Sequence, residues 1–259
     1  MKYGMPTLIE NSDLEEAASL CKELGFDFVE INMNLPQYQI EYLEDSDYLQ
    51  RLADKYSIFY TIHLEEHLNI CDFNREVANA YLKTVERVIK AAKILRVPII
   101  NMHMNKGVYV TLPDKKIYLY SQYNKHYMSR IKEYRIMCEE LIGDSDVKIS
   151  IENTDGYTDF EKEAIKFLLE SDVFSLTWDI GHSHATKNMD EAFLMEHVYK
   201  LSHFHIHDGF EKQNHMTLGS GEIDLKSRLL LAKEYDCRCV IETKTIEALK
   251  KSVMWLKNN

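Results

Sequence analysis

The stretch Val173-Phe174-Ser175-Leu176-Thr177-Trp178-Asp179 is an apolar, strand-like run that ends in a carboxylate. Other apolar runs also end in a side chain that can bind a metal: Thr61-Ile62-His63, Ile100-Asn101-Met102-His103, Ile149-Ser150-Ile151-Glu152, His203-Phe204-His205 and Cys239-Val240-Ile241-Glu242. A parallel β/α barrel gathers the carboxyl ends of successive strands around one point, and the active sites of such barrels lie at that face. The pattern therefore predicts the fold and the site together.

Strand-like runs alternate with segments of helical period along the whole chain. Strands are expected near residues 3–8, 26–31, 57–63, 98–103, 147–152, 173–179, 201–206 and 238–242, and helices near 13–24, 47–55, 75–95, 123–142, 159–169, 190–197, 224–235 and 245–256. Gly25 and Gly143 follow the first and fourth helices, where a left-handed residue often ends a helix. Eight alternating units favour an α/β fold, a closed (β/α)8 TIM barrel, over a doubly wound sheet.

The composition marks no domain boundary. The length of 259 residues is ordinary for such a barrel, and the 4 prolines and 9 glycines form no linker-like run. The one Gly-x-Gly segment, Gly219-Ser220-Gly221, follows no strand, which argues against a dinucleotide-binding fold. We therefore expect residues 1–259 to form a single TIM-barrel domain.

The charge of the chain bears on its partners. The formal net charge is −11, whereas proteins that bind nucleic acids normally carry a basic footprint for the phosphates. We therefore expect a small-molecule substrate and no nucleic acid partner. No motif specifies an oligomeric state, and a homodimer is expected only from the general frequency of such assemblies.

No run of apolar residues has the length of a signal peptide or of a membrane span. The five cysteines are an odd number without a Cys-x-x-Cys pair, which favours reduced thiols over a disulfide framework. These features lead us to expect a cytoplasmic protein without a membrane partner.

Glu152, Asp179, His205 and Glu242 form the expected metal-binding set. Three carboxylates and an imidazole suit a divalent cation, and strand ends hold such groups rigidly. We expect Mn²⁺ or Zn²⁺, with Mg²⁺ and Co²⁺ as alternatives, because these ligand types do not distinguish the four.

Further histidines surround this set. His63 and His103, at the ends of the third and fourth strands, are expected to hold a second metal together with Glu152 or to hydrogen-bond substrate hydroxyls. We favour the second role. His182, three residues after Asp179, is expected to face the substrate, and His215 lies in the loop after the seventh strand.

The motif residues, in chain order, are His63, His103, Glu152, Asp179-x-x-His182, His205-x-x-Asp208 and Glu242. This order resembles the xylose isomerase-like β/α-barrel superfamily. That superfamily contains the sugar phosphate isomerases and epimerases, and also the endonuclease IV type of AP endonuclease (AP endonuclease family 2). The resemblance extends from the first strand to Glu242 and does not by itself choose between the two branches.

The isomerase and epimerase branch implies one divalent metal held by Glu152, Asp179, His205 and Glu242. Glu152 and Glu242 would also act as acid and base on the substrate, and His182 would anchor a substrate oxygen. The expected chemistry is proton transfer next to a carbonyl that the metal polarises. With His205 at the barrel mouth, His203 is expected deeper in the same strand and His207 at the rim.

The nuclease branch implies three zinc ions. His63 and His103 with Glu152 would bind one zinc, the four-residue set a second, and His182 with an Asp-x-His motif a third. In this chain His215 matches the histidine of that motif, but Gln213 stands in the place of the aspartate. A neutral amide is a poorer ligand for a dication than a carboxylate.

The sequence thus favours a metal-dependent sugar or sugar phosphate isomerase or epimerase. The alternative is a zinc-dependent AP endonuclease or another phosphodiesterase. A barrel that binds a ligand without turning it over is a third class, which retention of the metal ligands without turnover of any sugar would support.

The identity of the sugar is not encoded in a motif. Lys106 and Lys244 lie just beyond His103 and Glu242, where they are expected to neutralise a substrate anion. Barrels often bind phosphate with the loops after their last two strands, so Gly219-Ser220-Gly221 is a second candidate, through its backbone amides.

Overall fold

Each of the eight apolar runs forms a strand in the computed structural model, which describes residues 1–259. The strands are β1 (Lys2–Pro6), β2 (Phe28–Asn32), β3 (Phe59–His63), β4 (Ile99–His103), β5 (Lys148–Glu152), β6 (Phe174–Asp179), β7 (Leu201–Ile206) and β8 (Arg238–Ile241). They close into a barrel in the order β1-β8-β7-β6-β5-β4-β3-β2, and every neighbouring pair is parallel. The predicted (β/α)8 barrel is confirmed.

Helices connect the strands around the outside of the barrel. They are α1 (Leu14–Leu24), α2 (Ser46–Tyr56), α3 (Arg75–Leu95), α4 (Asn124–Ile142), α5 (Asp159–Leu169), α6 (Glu191–Glu196), α7 (Leu225–Glu234) and α8 (Ile246–Asn258). The expected and observed bounds of strands and helices differ by one or two residues at most. None of the helices combines the length and the apolar composition that crossing a membrane requires.

Two glycines end helices with different backbone geometry. Gly25 has φ 81° and ψ 26°, the left-handed conformation expected at this position. Gly143 also has a positive φ, 53°, but its ψ of −132° lies outside the left-handed region. The expectation of a left-handed cap at Gly143 is therefore wrong, because its φ and ψ fall in a different region that glycine reaches more readily than other residues.

Short elements in the loops after the strands escaped the sequence analysis. They are two hairpins, Tyr109–Thr111 with Lys116–Tyr118 and Asp208–Phe210 with Gln213–Met216, and three short helices, Ile40–Leu43, Leu119–Gln122 and Ile180–Ala185. Each has three to six residues, which is too short for a hydrophobic period to be visible.

The centre of the barrel is polar in the layer beneath the carboxyl-terminal mouth. Apolar side chains fill the space between the strands and the helices, in one cluster of 66 buried residues. Inside the barrel, however, polar side chains of several strands are fully or almost fully buried: Glu30, Thr61, Asn101, Ser150, Thr177 and His203. Buried polar groups must find hydrogen-bond partners, so this layer has few alternative arrangements.

We expect backbone strain at the helix ends to affect the free energy of unfolding, independently of the residues expected to bind the metal. Ser57 ends α2 in the left-handed region, with φ 54°. Ser57→Gly should raise the free energy of unfolding by about 1 kcal/mol, because a Cβ atom is unfavourable in this conformation. Gly25→Ala is the matched opposite change and should lower the free energy of unfolding. An added Cβ would meet no atom within 4 Å, so the effect comes from backbone strain alone. Urea unfolding should therefore show opposite shifts, and shifts of the same sign would contradict this explanation.

Candidate metal centre

Four side chains converge at the carboxyl-terminal mouth of the barrel. One oxygen each of Glu152, Asp179 and Glu242 and one ring nitrogen of His205 lie within 4.8 Å of one another. Glu152 and Asp179 are the last residues of β5 and β6, His205 is in β7, and Glu242 directly follows β8. The structure therefore brings together the four residues expected to bind the metal.

The ring of His205 lies between the carboxylates. Its Nδ1 is 3.0 Å from Oε1 of Glu152, 3.0 Å from Oε2 of Glu242 and 3.8 Å from Oδ2 of Asp179. The hydrogen bond of Nδ1 is to Glu152, so Oε2 of Glu242, although close, is buried without a hydrogen-bond partner. Three buried carboxylates repel one another unless a positive charge lies between them. A divalent cation fits this donor set, because it would satisfy the free oxygen and neutralise the repulsion.

The pKa values of these groups reflect the same charges. Burial opposes ionisation of Glu152 and Glu242, but the neighbouring His205 ring outweighs it and holds both pKa values well below the usual range for a glutamate. Burial also opposes a charge on His205, yet the carboxylates of Glu152 and Glu30 raise its pKa well above the usual range. A proton on His205 thus supplies the positive charge when no metal does.

Glu152 is held by a network that reaches into the barrel. Nδ2 of Asn101 donates to its Oε2. The hydroxyl of Thr177 donates to Oδ1 of Asn101 at 2.6 Å, which turns the amide so that its NH₂ group faces the carboxylate. Asn101 is fully buried on β4, and its role was not apparent from the sequence, where it is one polar residue in an apolar run.

Asp179 is oriented from three sides. Its Oδ1 accepts the backbone N–H of His182 at 2.6 Å and so caps the helix that begins at Ile180. Its own N–H donates to Oδ1 of Asn153 at 2.9 Å. Nε2 of His207 lies 3.0 Å from its Oδ2.

The position of His207 corrects an expectation. His207 was expected at the rim, but its side chain is fully buried. The backbone N–H of His215 donates to its Nδ1 at 2.7 Å, so in the neutral ring the proton is on Nε2 and is donated to Asp179. The reason is that the hairpin after β7 folds back over the mouth and covers this ring.

His205 has a partner that the sequence did not reveal. Oε1 of Glu30, on β2, lies 2.9 Å from Nε2 of His205, although off the axis of a good hydrogen bond. Oε2 of Glu30 lies 2.9 Å from Nε2 of His203 and accepts the hydroxyl of Thr61 at 2.9 Å. His203 is deeper than His205, as expected. A carboxylate on the far nitrogen of a ligating histidine fixes the ring and raises its basicity.

His63 and His103 both face Glu152. Their Nε2 atoms are 3.3 Å and 3.0 Å from the same oxygen, Oε2. Nδ1 of His63 is 2.7 Å from the carbonyl oxygen of Leu64, which can only accept, so the proton is on Nδ1 and Nε2 carries a lone pair in the neutral ring. Burial opposes a charge on this ring, but Glu152 outweighs it and raises the pKa of His63 to about 9.

His182 and His215 lie at the edge of the cluster. Nδ1 of His182 is 3.6 Å from Oδ2 of Asp179 and 3.8 Å from Oε1 of Glu152, and 20% of the side chain is exposed. Nδ1 of His215 is 3.7 Å from Oε1 of Glu242, and burial lowers its pKa to about 4. The roles of both histidines toward a substrate or a further metal stay predictions.

Neither of the two lysines expected near a substrate anion is a free charge. Nζ of Lys244 donates to Oε1 of Glu242 at 2.8 Å. Lys106 forms an ion pair with Asp155. An anionic substrate would therefore meet both ammonium groups already partnered, and their role as an anion site stays a prediction.

The loop with Gly219 and Gly221 does not offer free amides. Both N–H groups donate to Oδ2 of Asp208, at 2.9 Å and 2.8 Å, and the N–H of Ser220 donates to the carbonyl of Thr217 at 3.1 Å. The expectation of a phosphate site on these amides is therefore wrong. The carboxylate of Asp208 occupies the place that an anion would take.

We expect metal binding to release a proton from the centre. His205 is protonated below its raised pKa, so the metal must displace that proton, and the apparent affinity should rise about tenfold per pH unit around neutral pH. Calorimetric titration of Mn²⁺ or Zn²⁺ in two buffers with different ionisation enthalpies measures the released protons directly. Equal heats in both buffers would contradict a protonated His205.

Glu30 should support metal binding without contacting the metal. Glu30→Gln should weaken metal affinity by roughly 10- to 100-fold, because loss of the carboxylate frees the far side of the His205 ring. Tyr60→Phe is the matched control, since it removes a buried hydrogen bond to the carbonyl of Leu49 away from the centre. Competition with a metal-sensing dye measures both affinities. A Glu30→Gln protein that folds and binds metal as tightly as Tyr60→Phe would rule out this support.

Comparison with known proteins agrees with this architecture. A sequence model of the xylose isomerase-like TIM barrel family matches residues 18–259. An uncharacterized protein of Methanocaldococcus jannaschii is 28% identical over 269 residues, which cover 98% of this chain and 94% of that protein.

Solved structures share the whole barrel. A D-tagatose 3-epimerase-like protein has a TM-score of 0.77 and 25% identity, over 100% of this chain and 96% of its own. The 3-keto-D-glucoside 4-epimerase YcjR from E. coli has a TM-score of 0.77 and 16% identity, over 100% of both chains. The IolI protein, solved with a zinc atom, has a TM-score of 0.74 and 20% identity, over 100% of this chain and 96% of its own. At 16% and 20% identity, these last two likenesses show the fold alone.

The family match extends from within α1 to the last residue and includes all four residues of the cluster. The protein belongs to the xylose isomerase-like TIM barrel family.

Proposed function

We propose that this protein is a divalent-metal-dependent isomerase or epimerase of a sugar or sugar phosphate. The observation that carries the proposal is the cluster of three carboxylates around His205, with one buried carboxylate oxygen of Glu242 left without a hydrogen bond. The D-tagatose 3-epimerase-like structure, which shares the whole barrel at 25% identity, supports sugar chemistry.

Glu152, Asp179, His205 and Glu242 would hold the metal. A divalent cation at this place would polarise a carbonyl group and make the neighbouring C–H bond more acidic. Mn²⁺ and Zn²⁺ are the proposed ions, with Mg²⁺ and Co²⁺ as alternatives, because the ligands are carboxylates and imidazole.

Glu152 and Glu242 are the proposed acid and base. Glu152 ends β5 and Glu242 directly follows β8; the two strands are three positions apart in a ring of eight, so the carboxylates approach the mouth from well-separated directions. One glutamate could remove a proton from one face of a carbon and the other could return a proton to the other face. Both have lowered pKa values, so both are ionised at neutral pH and able to accept a proton. The glutamate that returns a proton to the substrate would first have to take one up from water or from a neighbouring donor.

The surrounding residues would position the substrate. His182 is partly exposed beside Asp179 and is suited to hold a substrate oxygen. His63 and His103 could donate to further hydroxyls from the other side of Glu152. Lys244 donates a hydrogen bond of 2.8 Å to Glu242 and would stabilise that carboxylate between proton transfers.

A zinc-dependent phosphodiesterase is the second candidate. The observation in its favour is that Nε2 of both His63 and His103 lies close to one oxygen of Glu152, which would suit a second metal bridged by that glutamate. Against it, Gln213 replaces a carboxylate and is exposed on its hairpin. Two or three tightly bound zinc ions per chain, with cleavage of DNA at abasic sites, would favour this candidate over the isomerase.

Glu152→Gln should abolish turnover while the barrel still folds. The change keeps the shape of the side chain but removes a metal ligand and a base, so metal content should fall and the rate should drop by about 10²- to 10⁴-fold. Plasma mass spectrometry of protein purified without chelators measures the metal, and exchange of substrate C–H hydrogen in deuterated water, followed by NMR over a panel of ketoses and their phosphates, measures the chemistry.

Glu161→Gln is the matched control. Glu161 is also buried, but it closes the capping box of α5, and burial raises its pKa to about 7. This variant should keep its metal and its activity. An active Glu152→Gln protein with full metal content would overturn the role of Glu152, and a metal-loaded native protein that exchanges hydrogen in none of the sugars would point to a binding protein or to other chemistry.

A further inference from the structure

A cavity lies at the amino-terminal end of the barrel, opposite the candidate metal centre. Its volume is about 730 Å³, within the range of small-molecule sites. Its lining includes the first residues of β3, β4, β5 and β8 and the second residue of β7. Lys148 and Glu152 are the two ends of β5, roughly 13 Å apart at the rise of a strand, so the cavity is separate from the metal centre.

The lining of this cavity is strongly basic. It contains Lys93, Arg96, Lys148 and Arg238 and one carboxylate, Asp146. The chain as a whole has a net charge of −11, so this surface is opposite in sign to the protein as a whole. Four cations from three separate segments of the chain meet here because the barrel closes, and no local charge run produces them.

None of these four cations forms an ion pair. Elsewhere in the protein Arg87, Arg130, Arg135 and Arg228 each pair with a glutamate. Lys93 and Lys148 donate only to backbone carbonyls, those of Leu141 and Asp172, at 2.6 Å and 3.2 Å. Each of these ammonium groups retains further donors that can reach a ligand.

Arg238 is the most informative of the four. It is half-buried at the start of β8, and its guanidinium makes no hydrogen bond to another protein group. A guanidinium has five N–H donors in a planar fork, a geometry that matches phosphate oxygens. Burial lowers the pKa of Arg238, and the negative charge of Asp236, with which it forms no ion pair, offsets this effect only in part.

We propose that the amino-terminal cavity binds a small phosphorylated anion. A phosphate monoester carries about 1.5 to 2 negative charges at neutral pH, which suits a net excess of positive charge better than a single carboxylate would. The cavity is larger than inorganic phosphate alone, so there is space for the organic part of a phosphoester. The hydroxyls of Ser145 and Ser202 also line the cavity, but they already donate to the carbonyl of Ile142 and to Oγ of Ser175, so the four cations carry the recognition of the anion. The site does not depend on the proposed sugar chemistry.

The test is calorimetric titration of the full-length protein with inorganic phosphate and with glucose 6-phosphate, at constant ionic strength. We expect one site per chain, and at least tenfold weaker binding in Arg238→Gln, because a charge-assisted contact is lost. Lys148→Gln changes an exposed side chain of the same lining and should also weaken binding, which keeps the test decisive if Arg238→Gln folds poorly.

Two control variants separate this site from other causes. Arg51→Gln removes one exposed positive charge on α2, outside the cavity, and should leave binding unchanged. Glu152→Gln disables the metal centre at the other end and should also leave it unchanged. Tighter binding of glucose 6-phosphate than of phosphate would mean that the organic part contacts the cavity, and equal binding would mean that free phosphate is sufficient.

The proposal would be overturned by several outcomes. Absence of saturable binding of both anions would mean that the four cations are only a solvated surface. Equal weakening in Arg51→Gln and Arg238→Gln would mean a general charge effect. Loss of binding in Glu152→Gln but not in Arg238→Gln would place the anion at the metal centre instead.

Discussion

The repulsion among three carboxylates buried at one end of the barrel is the constraint on which the rest of the site depends. Glu152, Asp179 and Glu242 come from three different strands, and all three present an oxygen to Nδ1 of His205. Water cannot screen these charges, since Glu152 and Asp179 are almost fully buried. A positive charge must therefore lie among them, and either a proton on His205 or a divalent metal can supply it. A metal bound at this place would therefore compete with protonation of His205.

Around this centre, the polar interior of the barrel acts as its support. Asn101 and Thr177 orient Glu152, and His207 orients Asp179. Glu30 lies behind His205, at the far nitrogen of the ring. An apolar barrel core would be simpler to bury, but it would leave these side chains free to rotate. The buried polar layer is thus harder to bury than an apolar core, but its hydrogen bonds fix the positions of the side chains at the mouth.

The two ends of the barrel have opposite electrostatic character. The carboxyl-terminal mouth concentrates negative charge and suits a cation. The amino-terminal mouth concentrates Lys93, Arg96, Lys148 and Arg238, without a carboxylate partner, and suits an anion. Strand β8 joins the two, because it begins at Arg238 and Glu242 directly follows it. A parallel barrel makes this separation natural, since all strands begin at one face and end at the other.

The sequence by itself determined the barrel, the bounds of its strands and helices, and the residues expected at the metal centre. This was possible because the signals are local: an apolar run, a period, and a ligand-type side chain at the end of the run. Since parallel strands end at one face, Glu152, Asp179, His205 and Glu242 had to be neighbours once the fold was recognised.

Only the tertiary structure decided what lies behind and around these residues. Glu30 and His203 are 173 residues apart in the chain, and their contact depends on how the strands are staggered in the closed barrel. The burial of His207 and the capture of the Gly219 loop by Asp208 depend on how a hairpin folds over the mouth. The basic cavity likewise gathers residues from separate strands and loops. Local patterns give the period and the end of a strand, but not its depth or its neighbours across the barrel, so these contacts had no signal in the sequence.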